Sequence, residues 1–228
     1  MKLQTKLLTG FIASALITLS VGIFAASRMH DMSKADDFLF THAVEPMGDL
    51  LNISAYFQRI MLNLLDFATT SSDTSRERAR TVIPQFRSII DGSAIKVEAT
   101  LISDEARRLV AEYKSRRQDF RKMTDEVMAM TESGRKDEAY TLLTGKGREI
   151  ALAYQNTIDA LVASKREQGA LLAKHNAELA DASSYLLYAA LAFGLLLSIT
   201  LGVLLTRNIM RQLGEDPGYL ADVAREIA

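Results

Sequence analysis

The sequence predicts an all-α fold: a membrane-anchored, antiparallel up-down-up-down four-helix bundle with two transmembrane helices. Three observations carry this expectation. Residues 185–206, YLLYAALAFGLLLSITLGVLLT, contain no charged side chain, and a helix needs roughly 20 mostly apolar residues to cross a hydrocarbon core about 30 Å thick. A second run, residues 7–27, carries no charge until Arg28. Between the two runs lie four long patterns with apolar residues at steps of three and four, the spacing of amphipathic helices.

The amino-terminal run also fits a signal peptide, because Lys2 and Lys6 precede it and Ala25, Ala26 and Ser27 offer a small-residue cleavage site. Its length favours an uncleaved transmembrane helix, since a signal peptide's apolar region is only about 7 to 15 residues. Lys2 and Lys6 on one side and Arg207 and Arg211 on the other then obey the same rule, positive charge staying inside. The expected layout is a cytoplasmic start at 1–6, transmembrane helices at 7–27 and 185–206, and one domain outside the membrane at 28–184. Residues 207–228 follow on the cytoplasmic side. The chain would thus cross its membrane twice.

Composition narrows the function. The net charge is -1 and there is no Cys, which excludes disulfides, thiol catalysis and Cys-ligated zinc. No basic excess or aromatic-rich basic motif points to nucleic acid. His30, His42 and His175 are scattered with no partner at i, i+4, so no metal site or cofactor is expected. Nothing resembles a nucleophile, a phosphate loop or a paired-carboxylate site, and no enzymatic activity is expected.

The first domain helix carries Leu50, Ser54, Phe57, Met61, Leu64 and Ala68 as its seam. Ile53, Ile60 and Phe67, spaced by seven, form a second strip beside it, which is assigned to the dimer interface with a second copy. The helix ends in TTSSDTS, where Ser72 or Asp73 supplies cap chemistry. The second helix is expected over 76–100, with Ala79, Ile83, Phe86, Ile90 and Val97 inward and Pro84 bending it. Ser103 caps the third, with Asp104 and Glu105 in its first turn. Its seam reads Ala106, Leu109, Tyr113, Arg116, Phe120, Met123, Val127 and Met130, up to the break at Ser133 and Gly134. A short helix over 136–143 and two glycines, Gly145 and Gly147, precede the fourth. That helix starts near Arg148, carries Ile150, Tyr154, Thr157, Leu161, Ser164, Gln168, Leu171 and His175, and continues into the second membrane run.

Two segments carry a resemblance. GRKDEAYTLL, residues 134–143, resembles the connection between third and fourth helices in the four-helix-bundle sensors of bacterial methyl-accepting chemotaxis receptors. RNIMRQLGEDPGYLADVAREIA, residues 207–228, resembles the first helix of a HAMP linker of the variety with a Leu-Gly-x-Asp-Pro-x-Tyr motif, matched by Leu213, Gly214, Asp216, Pro217 and Tyr219. The chain is therefore read as the sensory part of a longer receptor, with the linker incomplete at Ala228. The resemblance implies a bacterial inner membrane with 28–184 as a periplasmic sensor domain, a homodimer through the first and fourth helices, and a small-molecule ligand or periplasmic binding protein as partner. Kinase and coupling protein would be reached only through a signalling region beyond this chain. Arg207, Pro217 and Tyr219 would relay the signal. The same input half also serves sensor histidine kinases and cyclic-dinucleotide enzymes, and a structural bundle without ligand is a third reading.

Arg116 is the anomaly of the domain, a cation at a seam position. Counting from the turns at the far end puts it in one layer with Ser54, Ser93 and Ser164. A buried Arg needs an anionic partner. A small organic acid held by Arg116, Tyr113 and those hydroxyls would supply it. The competing reading is that Arg116 runs its stem along the core and reaches solvent, or pairs with Asp91. The aspartate-type site of the family uses several first-helix arginines, whereas this helix offers only Arg59.

Overall fold

Every long pattern in the sequence becomes a helix in the computed structural model, which describes residues 3–213. In chain order these are α1 (Leu3–Leu39), a π turn (Phe40–Val44), α2 (Glu45–Thr69), α3 (Asp73–Ala99), α4 (Asp104–Glu132), α5 (Lys136–Thr144) and α6 (Lys146–Leu213). No strand occurs among the described residues. The connections form where cap chemistry was expected. Ser72 and Ser103 take extended backbone and accept from the amides of Ser75 and Ala106, which satisfies donors that a first helical turn leaves free. Gly134, at φ 78°, ends α4 in a left-handed conformation that costs a side-chain-bearing residue more. The motif residues Gly214, Asp216, Pro217 and Tyr219 lie outside the described residues.

One element was not anticipated, the π turn, and Pro46 accounts for it. Pro46 has no N–H, so it cannot close the usual helical bond to the carbonyl of His42. The ladder slips by one residue there, and the amide of Glu45 donates to Phe40 instead.

The chain forms two compact units, residues 36–174 and a unit of 1–35 with 175–228. The first lies within the span 28–184 that the sequence reading gives to one domain. It is a four-helix bundle of α2, α3, α4 and the first part of α6, with α5 against α2 and α4. Cross-helix contacts give the direction. Along α3 and α4, Glu98 meets Lys114, Asp91 meets Arg117 and Arg121, Arg87 meets Asp125, and Arg80 meets Glu132, so these neighbours are antiparallel. Phe57 against Tyr154 and His42 against Lys165 make α2 and α6 antiparallel too.

The core of this unit corrects the expected seams. On α2 the inward row is Leu50, Ile53, Phe57, Ile60, Leu64 and Phe67, all at most 5 % exposed. These alternate steps of three and four, the pattern of one seam rather than two. Ile53, Ile60 and Phe67 therefore pack within their own chain and do not face a partner, while Ser54 is half-buried beside the row. The apolar residues that α2 leaves exposed are others: Leu51, Leu62 and Leu65, with Val44 before them.

The second unit packs by a different rule. Gly10 admits the side chain of Leu205 so closely that a Cβ there would overlap its Cδ1, and Gly194 sits under Ile17 and Val21. Around these close approaches Phe11, Leu16, Ile23, Phe193, Leu196 and Leu204 point outward. Small residues between helices and large apolar ones outside are the arrangement of helices solvated by lipid. Both long helices carry stretches long and apolar enough to cross a membrane.

Candidate sensory site

The middle of the bundle is an aromatic layer. Phe57 of α2, Phe120 of α4 and Tyr154 of α6 meet with ring centroids 5.0 to 5.3 Å apart, and Tyr113 lies 5.4 Å from Tyr154. The Tyr154 hydroxyl donates to the Tyr113 hydroxyl at 3.2 Å. Burial raises the pKa of both phenols, so both stay neutral in the working range. The layer is sealed, and what reaches it from outside is Arg117, whose guanidinium lies 5.6 Å over the Tyr113 ring.

Arg117, not Arg116, is thus the arginine beside Tyr113. Both fall between Tyr113 and Phe120, but at about 100° per residue Arg117 lies roughly 40° from the direction of Tyr113 and Arg116 roughly 60° on the other side. The buried residues Val110 and Thr124 extend the seam toward Arg117. The Arg116 side chain is 46 % exposed and meets Glu112 at 3.7 Å on the same helix. Its burial on the bundle axis is not observed, and the solvent-reaching alternative describes it correctly.

The other residues of the expected layer are also dispersed. Ser93 is buried and donates to Asp49 Oδ1 at 2.9 Å, and that carboxylate is further held by Lys96 at 3.7 Å. Ser164 lines a separate cleft with Phe38, Ile102, Ser103, Glu105, Glu167 and Gln168. Ser54 is half-buried on α2. A layer count treats helix ends as level, and the actual contacts pair α3 with α4 and α2 with α6 at different heights. Of the five residues, only Tyr113 stands in the aromatic layer.

Asp91, one partner that the competing reading offered Arg116, is taken by two other arginines. Arg117 donates to its Oδ1 at 2.9 Å, and Arg121 donates to Oδ1 and, at 2.6 Å, to Oδ2. One helical turn along α3, Arg87 pairs with Asp125 at 2.7 Å and also donates to the Arg121 carbonyl. Three arginines thus face two aspartates on the α3–α4 side of the bundle, leaving an excess of positive charge beside the aromatic layer. Arg117 and Arg87 are about four-fifths buried at the side chain, and Arg121 two-thirds, which makes their charge less screened than that of a surface pair.

Reasoning from sequence passed over Lys165. It is 3 % exposed and donates to the carbonyls of His42 at 2.9 Å and Thr100 at 2.6 Å and to Gln168 Oε1 at 3.2 Å. The available signal was its place four residues after Leu161 on the seam.

Among the described residues no group of three His, Asp or Glu side chains is arranged to hold a metal ion. A family model described as a four helix bundle sensory module for signal transduction matches residues 1–180. A search of curated proteins finds no match.

Proposed function

Because the chain belongs to the four helix bundle sensory family for signal transduction, we propose that it is the input of a chemoreceptor-type receptor. Its bundle registers a stimulus outside a bacterial inner membrane, and its last helix carries a displacement across to a HAMP-type linker at 207–228. The observation that carries this reading is α6, one helix over Lys146–Leu213, which holds the sensor core residues Tyr154, Ile158 and Leu161 and also the apolar run 185–206. A displacement of one or two ångströms is the ordinary scale for such a helix. It carries information only if the stimulus favours one helix position over the other. Lys2 and Lys6, with Arg207 and Arg211, support a periplasmic bundle.

The stimulus we propose is a small organic anion, now referred to Arg117 and Arg121. Such an anion would compete with Asp91 for two guanidiniums that already converge on one carboxylate. Dimerisation is proposed through the exposed strip of α2, Leu51, Leu62 and Leu65 with Ala55 and Gln58 between them. It repeats at steps of three and four like a coiled-coil seam.

Thermal unfolding of the full chain in lipid nanodiscs, against a set of organic acids, tests the sensory reading. A ligand raises apparent stability by about 2.7 kcal/mol at a hundred times its dissociation constant. Stabilisation by one acid that disappears in Arg117→Ala and survives in Arg116→Ala supports the site. Stabilisation that survives both substitutions removes it, and no stabilisation by any acid removes the organic-anion reading.

A further inference from the structure

Lys165 is the most buried cation among the described residues and has no carboxylate partner: its three bonds go to neutral oxygens. Two of these are groups the fold had left unsatisfied. The His42 carbonyl lost its helical donor to Pro46, and the Thr100 carbonyl stands at the C-cap of α3, where helical carbonyls have no donor of their own. One amine on α6 therefore closes two interruptions of the backbone ladder, and in doing so ties α6 to the π turn and to the end of α3.

The three acceptors suit an ammonium, which has three N–H donors, but they do not neutralise it. The neighbouring Gln168 suits the other state as well. In the present orientation its Oε1 accepts from Lys165 while its Nε2 is buried without a partner. A half-turn of the carboxamide would present Nε2–H to the lone pair of a neutral amine, whose two N–H groups would keep both backbone carbonyls. The two orientations exchange one proton's worth of hydrogen bonding at fixed heavy-atom positions.

We propose that this junction is a proton-sensitive joint: the neutral amine of Lys165 favours the docked position of α6 against the π turn and the end of α3, and uptake of a proton from solvent favours its release. The driving term is hydration, since a released ammonium recovers water that three neutral oxygens replace only in part.

The titratable and charged groups around the joint do not cancel that term. His42 contributes its carbonyl, while its ring accepts or donates at Thr41 and stacks on Phe38. Asp37 and Glu45 flank the π turn and are exposed, and the buried Asp49 of α2 is held by Ser93 and by the exposed Lys96 of α3. Glu105 of α4 and Glu167 of α6 line the adjoining cleft, also exposed, as is Arg166. Burial alone lowers the lysine's pKa, to about 8. Docked, the group holds fewer protons than an exposed lysine between about pH 8 and its ordinary value of 10.5. The docked position therefore gains on the released one as pH rises through that window, and their balance is flat below it.

Hydrogen-exchange protection of the full chain in nanodiscs, corrected for intrinsic base-catalysed rates, reads the joint from pH 6 to 10. Amides of residues 40–45 and 97–103 are expected to be level up to about pH 8 and then to gain protection severalfold, while amides of residues 120–127 in α4 show no such step. Lys165→Met, which never charges, and Lys165→Arg, which never discharges, are both expected to abolish the gain. A wild-type profile that is flat or falls overturns the proposal, and so does a gain that persists in either variant. Because both substitutions perturb a buried site, the lysine of the unaltered chain is also followed by carbon NMR. Titration at the ordinary lysine value overturns the proposal whatever the variants do.

Discussion

Tyr154 and Lys165 lie about three turns apart on α6 and are both buried, yet they hold their layers together in opposite ways. Tyr154 and the three rings around it, from three helices, fill the axis, and its hydroxyl donates to that of Tyr113. Around Lys165 the binding partners are backbone carbonyls freed by a proline and by a helix end. The charge has no counter-ion there. The first layer gains from water exclusion and shape, which a change in pH hardly touches. The second is a balance between good hydrogen bonds and poor hydration, so its strength depends on solution conditions. A helix that must stay folded and still respond to a stimulus has use for both.

The largest effect expected is from Tyr154→Ala. Removing a fully buried ring that touches Phe57, Tyr113 and Phe120 should cost about 3–5 kcal/mol, by analogy with other buried aromatic truncations. Urea unfolding of the chain would register it as a lower midpoint, and the loss should be the same at pH 7 and pH 9.5. A loss under about 1 kcal/mol would mean that the layer collapses around the gap, so the contrast with Lys165 would go.

Lys165→Met should have a smaller cost, about 1–2 kcal/mol at pH 7. It leaves two backbone carbonyls without a donor but also removes a buried, uncompensated charge. The cost should increase with pH. The lysine's pKa is lowered in the fold to about 8, so the wild type gains stability as pH rises from there toward 10.5, while the variant has nothing to titrate at that position. Unfolding curves at pH 7 and pH 9.5 separate the two terms. A gap that narrows with pH would reverse the sign of the argument.

Tyr113→Phe is a finer probe, of the polar bond inside the aromatic layer. It keeps the ring and leaves the Tyr154 hydroxyl without its acceptor, which should cost about 1 kcal/mol with no change in pH dependence. A double-mutant cycle with Tyr154→Phe measures the bond itself, since the doubly substituted chain leaves no polar group unpaired.

How much of this was readable beforehand depended on the kind of signal. The two apolar runs, the serine caps at Ser72 and Ser103 and the glycine end of α4 are local, and each could be taken from a few neighbouring residues. The seam of α2 was visible but divided wrongly. Ser54 and Met61 lie one position from Ile53 and Ile60, and apolar residues stood on both tracks, so spacing alone did not choose between them. The joint at Lys165 depends on three segments far apart in the chain, none of which signals the others. Pro46 did announce a missing donor, but not which side chain would replace it.

Arg116→Ala is expected to do the least, and it separates the sequence-based site from the one the fold presents. The anion-site reading of the sequence put Arg116 on the bundle axis, where its loss would abolish anion binding, and the competing reading ran its stem out to solvent. In the structure it is about half exposed and its nearest acid, Glu112, is one turn away on the same helix, an arrangement that screening and side-chain entropy reduce to little. The change in stability should stay within about 0.5 kcal/mol. Arg117→Ala should cost more, because it removes a largely buried guanidinium from Asp91 and from the face of Tyr113. Equal effects of the two substitutions would put the orientation of α4 in question, since turning that helix by roughly 100° is what exchanges the two residues.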